Sequence, residues 1–62
     1  MSSIGGRIRK LRKELKMSQN ELAGKELTKG TISLIENGKV KPTTRTLQFI
    51  AKQLGRPVSF FY

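Results

Sequence analysis

Sixty-two residues with thirteen basic and four acidic side chains, a net charge of +9 and neither cysteine nor histidine describe one domain, residues 1–62, around a single small core. Disulfide staples, the common soft-metal sites and histidine general-base chemistry are excluded, and the four carboxylates are scattered, so no enzyme, metal or cofactor is expected. The charge and a pI near 10.8 suit a polyanionic partner, while no apolar run nears the roughly 20 residues of a membrane span.

No secretory signal opens the chain, so a cytoplasmic location is expected. Met1 to Ser3 read as a frayed lead-in. Ile4, Ile8, Leu11 and Leu15 recur at spacings of four, three and four, a helical stripe expected to face the core. Arg7, Arg9, Lys10, Arg12, Lys13 and Lys16 make the rest of that helix basic. Gly5 and Gly6 weaken its start, so ordered helix is expected from about Gly6 or Arg7. Ser18-Gln19-Asn20-Glu21 is a capping box that opens a second helix through Leu22 and Ala23. Gly24, free to adopt a left-handed conformation, marks its end, and Leu27 is expected to turn inward. Thr28 caps a third helix, Lys29 to Glu36, with Ile32 and Ile35 on its buried side. Asn37 and Gly38 both tolerate positive φ and stop it. Val40 is a lone apolar residue in the loop Lys39 to Pro42. Thr43 caps a fourth helix bearing Leu47, Ile50, Ala51 and Leu54, and Gly55 ends it. The tail Arg56 to Tyr62 is expected to start a fifth turn or short helix, with Ser59 or Pro57 near its beginning. One or two of Phe60, Phe61 and Tyr62 close the core, and the others suggest a dimer contact or a domain boundary. The fold class is all-α and compact, with four to five helices.

The second and third helices, joined by a connection of about four residues, fit a helix-turn-helix over residues 18–36, with small Ala23 where the axes cross. Such a unit lays its second helix in the major groove of double-stranded DNA. The candidate base contacts are therefore Lys29, Gly30 and Thr31, then Ser33 and Leu34 one turn on. Lys29 can donate to guanine O6 or N7, Thr31 and Ser33 can donate or accept, and Leu34 can meet a thymine methyl. Gly30 has no side chain to read with but lets the backbone come close. With no Asn, Gln or Arg in this set, DNA shape and dimer spacing are expected to add specificity. Candidate phosphate contacts are Gln19 at the start of the second helix, Thr28 at the start of the third, then Asn37, Lys39, Lys41 and Arg45. Arg12 and Glu36 are read as a structural ion pair tying the first helix to the end of the third. The basic face of the first helix is read as solvated or as a long-range attractor.

Ser18-Gln19-x-x-Leu22-Ala23, Thr31-Ile32-Ser33-x-Ile35-Glu36-Asn37-Gly38, Lys41-Pro42 and Leu47-x-x-Ile50-Ala51-x-x-Leu54 together resemble the Cro/repressor-type helix-turn-helix family, also called the xenobiotic-response-element (XRE) family. The resemblance runs from Ile4 to about Phe61. It implies a five-helix, lambda-repressor-like DNA-binding domain of a transcriptional regulator, usually a homodimer on palindromic operators. It also implies that Gln19 clamps a phosphate and that Arg12 pairs with Glu36. Between Ala23 and Thr31 this chain is one residue shorter than the commonest members. The shorter Gly24-Lys25-Glu26-Leu27-Thr28 connection resembles a subgroup of regulators from Gram-positive bacteria. In those proteins tetratricopeptide-like repeats that bind signalling peptides often follow, and Pro57-Val58-Ser59-Phe60-Phe61 resembles the join. A bacterial, nucleoid-associated regulator extending into a C-terminal effector domain is thus one expectation, and a small stand-alone controller or antitoxin-like repressor is the alternative. A cationic membrane- or protein-interaction module would account for the basic first helix alone, and not for the capping box, the tight turn or Asn37-Gly38. RNA binding is disfavoured because interleaved stacking aromatics are missing.

Overall fold

A computed structural model describes residues 3–62, which form four α-helices and a closing 3₁₀ turn, with no strand among them. The first helix, α1 (Ile4–Glu14), starts earlier than its glycines suggest. Ser3 is the reason: it sits in an extended conformation and its hydroxyl accepts from the Gly6 amide at 3.0 Å, satisfying a donor that a helix start otherwise leaves open. Ser3 is therefore a cap and not part of a frayed lead-in; Met1 and Ser2 lie outside the described residues. Gly5 is buried where α1 crosses the end of the third helix, and a Cβ there would run into the Ile35 carbonyl oxygen. The residue that weakens the helix is the one that lets two backbones touch.

Leu15 departs from the expected stripe. It is the C-terminal cap of α1 and is 45% exposed, because the helix stops before that turn can face inward. Lys16 then takes a left-handed φ of 55°, with its amide donating to the Lys13 carbonyl and the Met17 amide to the Arg12 carbonyl, both at 3.0 Å. That pair of bonds is a Schellman ending, built here on a lysine. The same arrangement ends the third helix at Gly38 and the fourth at Gly55, whose φ values are 73° and 69°. Asn37 does not share the positive φ allowed to it; it stays at −88° as the cap.

Helix α2 (Gln19–Ala23) is held by both arms of the expected capping box. Ser18 Oγ accepts from the Glu21 amide at 2.9 Å, and a Glu21 carboxylate oxygen accepts from the Ser18 amide at 2.8 Å. Gly24 ends it at φ 58° and ψ −140°, a positive-φ geometry other than the left-handed helical one and open chiefly to glycine. Helix α3 (Lys29–Glu36) is capped by Thr28, and α4 (Thr44–Leu54) by Thr43, each hydroxyl accepting at 3.1 Å from the amide three residues on. The 3₁₀ turn Val58–Phe61 follows.

The core gathers Ile8 and Leu11 of α1, Leu22 and Ala23 of α2, Ile32 and Ile35 of α3, four residues of α4 (Leu47, Ile50, Ala51, Leu54) and Phe61. Ile4, Met17, Leu27, Phe49 and Val58 pack around it. Of the terminal aromatics only Phe61 closes the core; Phe60 and Tyr62 remain exposed. Arg7 ties this tail to α1 by donating to the Phe60 carbonyl at 3.4 Å and the Tyr62 carbonyl at 2.5 Å. No helix among the described residues is long and apolar enough to cross a membrane.

Candidate nucleic-acid interface

The α2–α3 unit is set by one buried carboxylate. Glu36 lies at the last position of α3, and its side chain is 2% exposed. Arg12 reaches it from α1 in a two-pronged pair, Nε to Oε2 at 2.6 Å and Nη2 to Oε1 at 3.0 Å. The third guanidinium donor, Nη1, goes to the Met17 carbonyl at 2.8 Å in the α1–α2 connection. Gln19 Nε2, from the first position of α2, adds a bond to Glu36 Oε1 at 3.1 Å. The expected ion pair is present, and it is the only one among the described residues. Hydrogen bonding to Glu36 holds the Arg12 pKa above the usual arginine value, against the opposing effect of burial and with a smaller contribution from the Glu36 charge. A two-pronged, fully bonded pair of this kind adds little stability over an apolar replacement, but losing one partner costs about 3–5 kcal/mol because it strands a buried charge. Its contribution is therefore geometric: one carboxylate fixes α1, the α1–α2 connection, the start of α2 and the end of α3 relative to each other.

Around α3, at about 100° per residue, Lys29, Gly30, Ser33, Leu34 and Asn37 fall within an arc of about 140°. All are exposed except Ser33, which is half-buried. Ile32, Ile35 and Glu36 are buried, the two isoleucines facing away from this strip and Glu36 at its border beside Lys29, about 20° away. Four of the five candidate base contacts thus share one outward strip, and Asn37, assigned to phosphate, lies on the same strip. Thr31 is the exception. It sits at the edge of the strip, half-buried, and its hydroxyl shares a 2.9 Å hydrogen bond with that of Thr28. Both threonines therefore spend hydrogen-bonding capacity on each other. Ser33 Oγ accepts a long bond from Asn37 Nδ2 at 3.4 Å, weak enough to yield to an external partner.

Lys39, Lys41 and Arg45 are exposed and carry unneutralised charge. The loop is anchored by the Lys39 and Val40 amides, which donate to the Leu34 carbonyl at 2.9 and 3.3 Å, so this cationic stretch leaves α3 in a defined direction. Gln19 is half-buried, and one of its amide hydrogens is committed to Glu36; the other is available to an acceptor outside the chain. That inward bond is the feature sequence reasoning missed. Its only forewarning is that Gln19 and Glu36 bracket the two helices, and the helix crossing must be known before the bracket can be seen to close.

A family model described as helix-turn-helix matches residues 8–61, all but the first seven residues and the last. The chain belongs to the XRE-type helix-turn-helix family. No curated protein matches it. Among solved structures, it superposes on Bacillus thuringiensis PlcR, determined in complex with the peptide PapR7 and DNA, with a TM-score of 0.91 and 32% identity. All of this chain and 22% of PlcR are covered. ComR from Streptococcus suis gives a TM-score of 0.87 and 30% identity over 97% of this chain and 20% of that one. The chain therefore spans about a fifth of each neighbour. Both superpositions are in keeping with the expected kinship. Family and fold together make this a DNA-binding, lambda-repressor-like helical domain of the kind that transcription regulators carry.

Proposed function

We propose that this chain is the double-stranded DNA-reading domain of a bacterial, cytoplasmic transcription regulator, with α3 lying in the major groove and Lys29, Gly30, Ser33 and Leu34 toward the base edges. The observation that carries this reading is the division of α3: one face is locked inward by Ile32, Ile35 and the Arg12–Glu36–Gln19 cluster, and the other presents an unobstructed strip. Gln19, Thr28, Asn37, Lys39, Lys41 and Arg45 grip phosphates on either side, with Thr31 contributing more to the α3 cap than to base readout. The chain works as a homodimer on a palindromic operator whose half-sites lie about one helical turn apart.

Selection of bound duplexes from a random pool at physiological salt tests this. An enriched two-fold site is expected; an enriched single half-site would refute the dimer, and no enrichment would sink the reading. On the selected duplex, Lys29→Ala should relax preference at one position, whereas Lys39→Ala should weaken all sequences about equally. If Lys39→Ala instead changes the preferred bases, the division between base and phosphate contacts is wrong.

A further inference from the structure

The fold gives opposite answers about two helical glycines. Gly5 is required, because a Cβ there collides with the backbone of α3 at Ile35. Gly30 is not. It lies in the first turn of α3, it is exposed, its φ is not positive, and a Cβ built on it would meet only Thr28 Oγ1, at 3.9 Å. Glycine is among the least favourable residues within a helix, so at this position it weakens an eight-residue element with nothing gained inside the molecule. Gly30 also lies within the outward strip, flanked by Ser33 and Leu34, each about 40–60° away around the helix.

We infer that Gly30 sets how deeply α3 seats in its partner: the duplex occupies the space where a side chain would stand, so the missing Cβ determines both affinity and base discrimination. This rests on the reading of α3 as the groove-binding helix. Close seating brings the short Ser33 side chain within reach of base edges. A side chain at position 30 would hold the helix away, and the loss would grow with its size. Because the site is sterically open in the free chain, the folded state accepts what the complex refuses.

The test compares the wild-type chain with Gly30→Ala and Gly30→Met, both good helix formers, by thermal unfolding and by titration of a duplex enriched from a random pool by the wild type. Tm is expected to rise by a few degrees in both variants. Affinity is expected to fall about tenfold for alanine and a hundredfold or more for methionine, as steric overlap grows from one methyl to a long side chain. Discrimination against mismatched duplexes should shrink in parallel. Equal or tighter binding by either variant overturns the inference, and so does a fall in Tm, which would show that position 30 is not open. If the wild type itself shows no salt-sensitive duplex binding, the underlying DNA-reading assignment fails instead.

Discussion

At Lys16 the backbone holds a left-handed conformation that costs an L-residue with a Cβ roughly 1–2 kcal/mol. Glycine would remove that strain but adds about 0.4–1 kcal/mol of unfolded-chain entropy. The strain is the larger quantity, so Lys16→Gly is expected to stabilise the domain by about 0.5–1 kcal/mol, measured by urea unfolding. A destabilised variant would mean that the lysine side chain contributes more than its exposed position shows. Lys16 also marks what could not be read from the sequence at this scale: Gly24, Gly38 and Gly55 announce helix ends, whereas a lysine carries no such signal. The Arg12–Glu36 pair was legible, being a basic residue on the first helix and an acid at the end of the third. Gln19 was legible only as an outward-facing group, since its inward bond to Glu36 depends on a crossing between residues 17 positions apart. The chemistry of Thr31 alone does not show that its hydroxyl is already shared with Thr28.

At the scale of elements, α2 depends most on its cap. Five residues are too few for a helix to persist in water, so Ser18, Glu21 and the burial of Leu22 and Ala23 must hold it. Acceptance of the Ser18 backbone amide, reinforced by the Ser18 hydroxyl, lowers the Glu21 pKa below the usual carboxylate value. A folded-state pKa that is depressed contributes stability above the unfolded value and loses it as pH falls through the folded one. Glu21→Gln should therefore be less stable than the wild type at neutral pH, and the two Tm curves should converge as pH drops below the ordinary glutamate range, near about 4.3. Curves that stay parallel in acid would show that the carboxylate charge is not what the cap uses. The helices themselves were largely legible. Thr28 and Thr43 as caps, Ile32 and Ile35 as the inner face of α3, and the four-residue stripe of α4 all follow from local pattern, because capping and periodicity are local physics. Propensity at Gly5 and Gly6 places the start of α1 too late, because the Ser3 cap and the close packing of Gly5 on Ile35 outweigh it. Leu15 leaves the stripe for a related reason: periodicity continues past the residue where the chain turns away.

At the scale of the whole molecule, the +9 charge acts on folding and on binding in opposite directions. Only one acidic residue is consumed in an ion pair among the described residues, so self-repulsion of the exposed basic groups opposes compaction and salt should relieve it. In binding, neutralisation of three phosphates per chain by Lys39, Lys41 and Arg45 gives a log–log salt slope of about −3. Raising salt should thus increase Tm while weakening duplex affinity, and a slope near zero would count against the phosphate contacts assigned to Lys39, Lys41 and Arg45. The Arg7 grip on the tail bears on how the chain reaches this state. Its bond to Tyr62 joins residues 55 apart, against 24 for Arg12 and Glu36. Closing the longer loop first would cost about 0.7 kcal/mol more chain entropy, while the Arg12–Glu36 cluster can organise with α1 to α3 alone. We expect tail docking to be a late event, made after the barrier to folding has been crossed. Phe61→Leu should accordingly speed unfolding and leave the folding rate nearly unchanged in a chevron experiment, which makes the last few residues the fastener that sets the lifetime of the native domain.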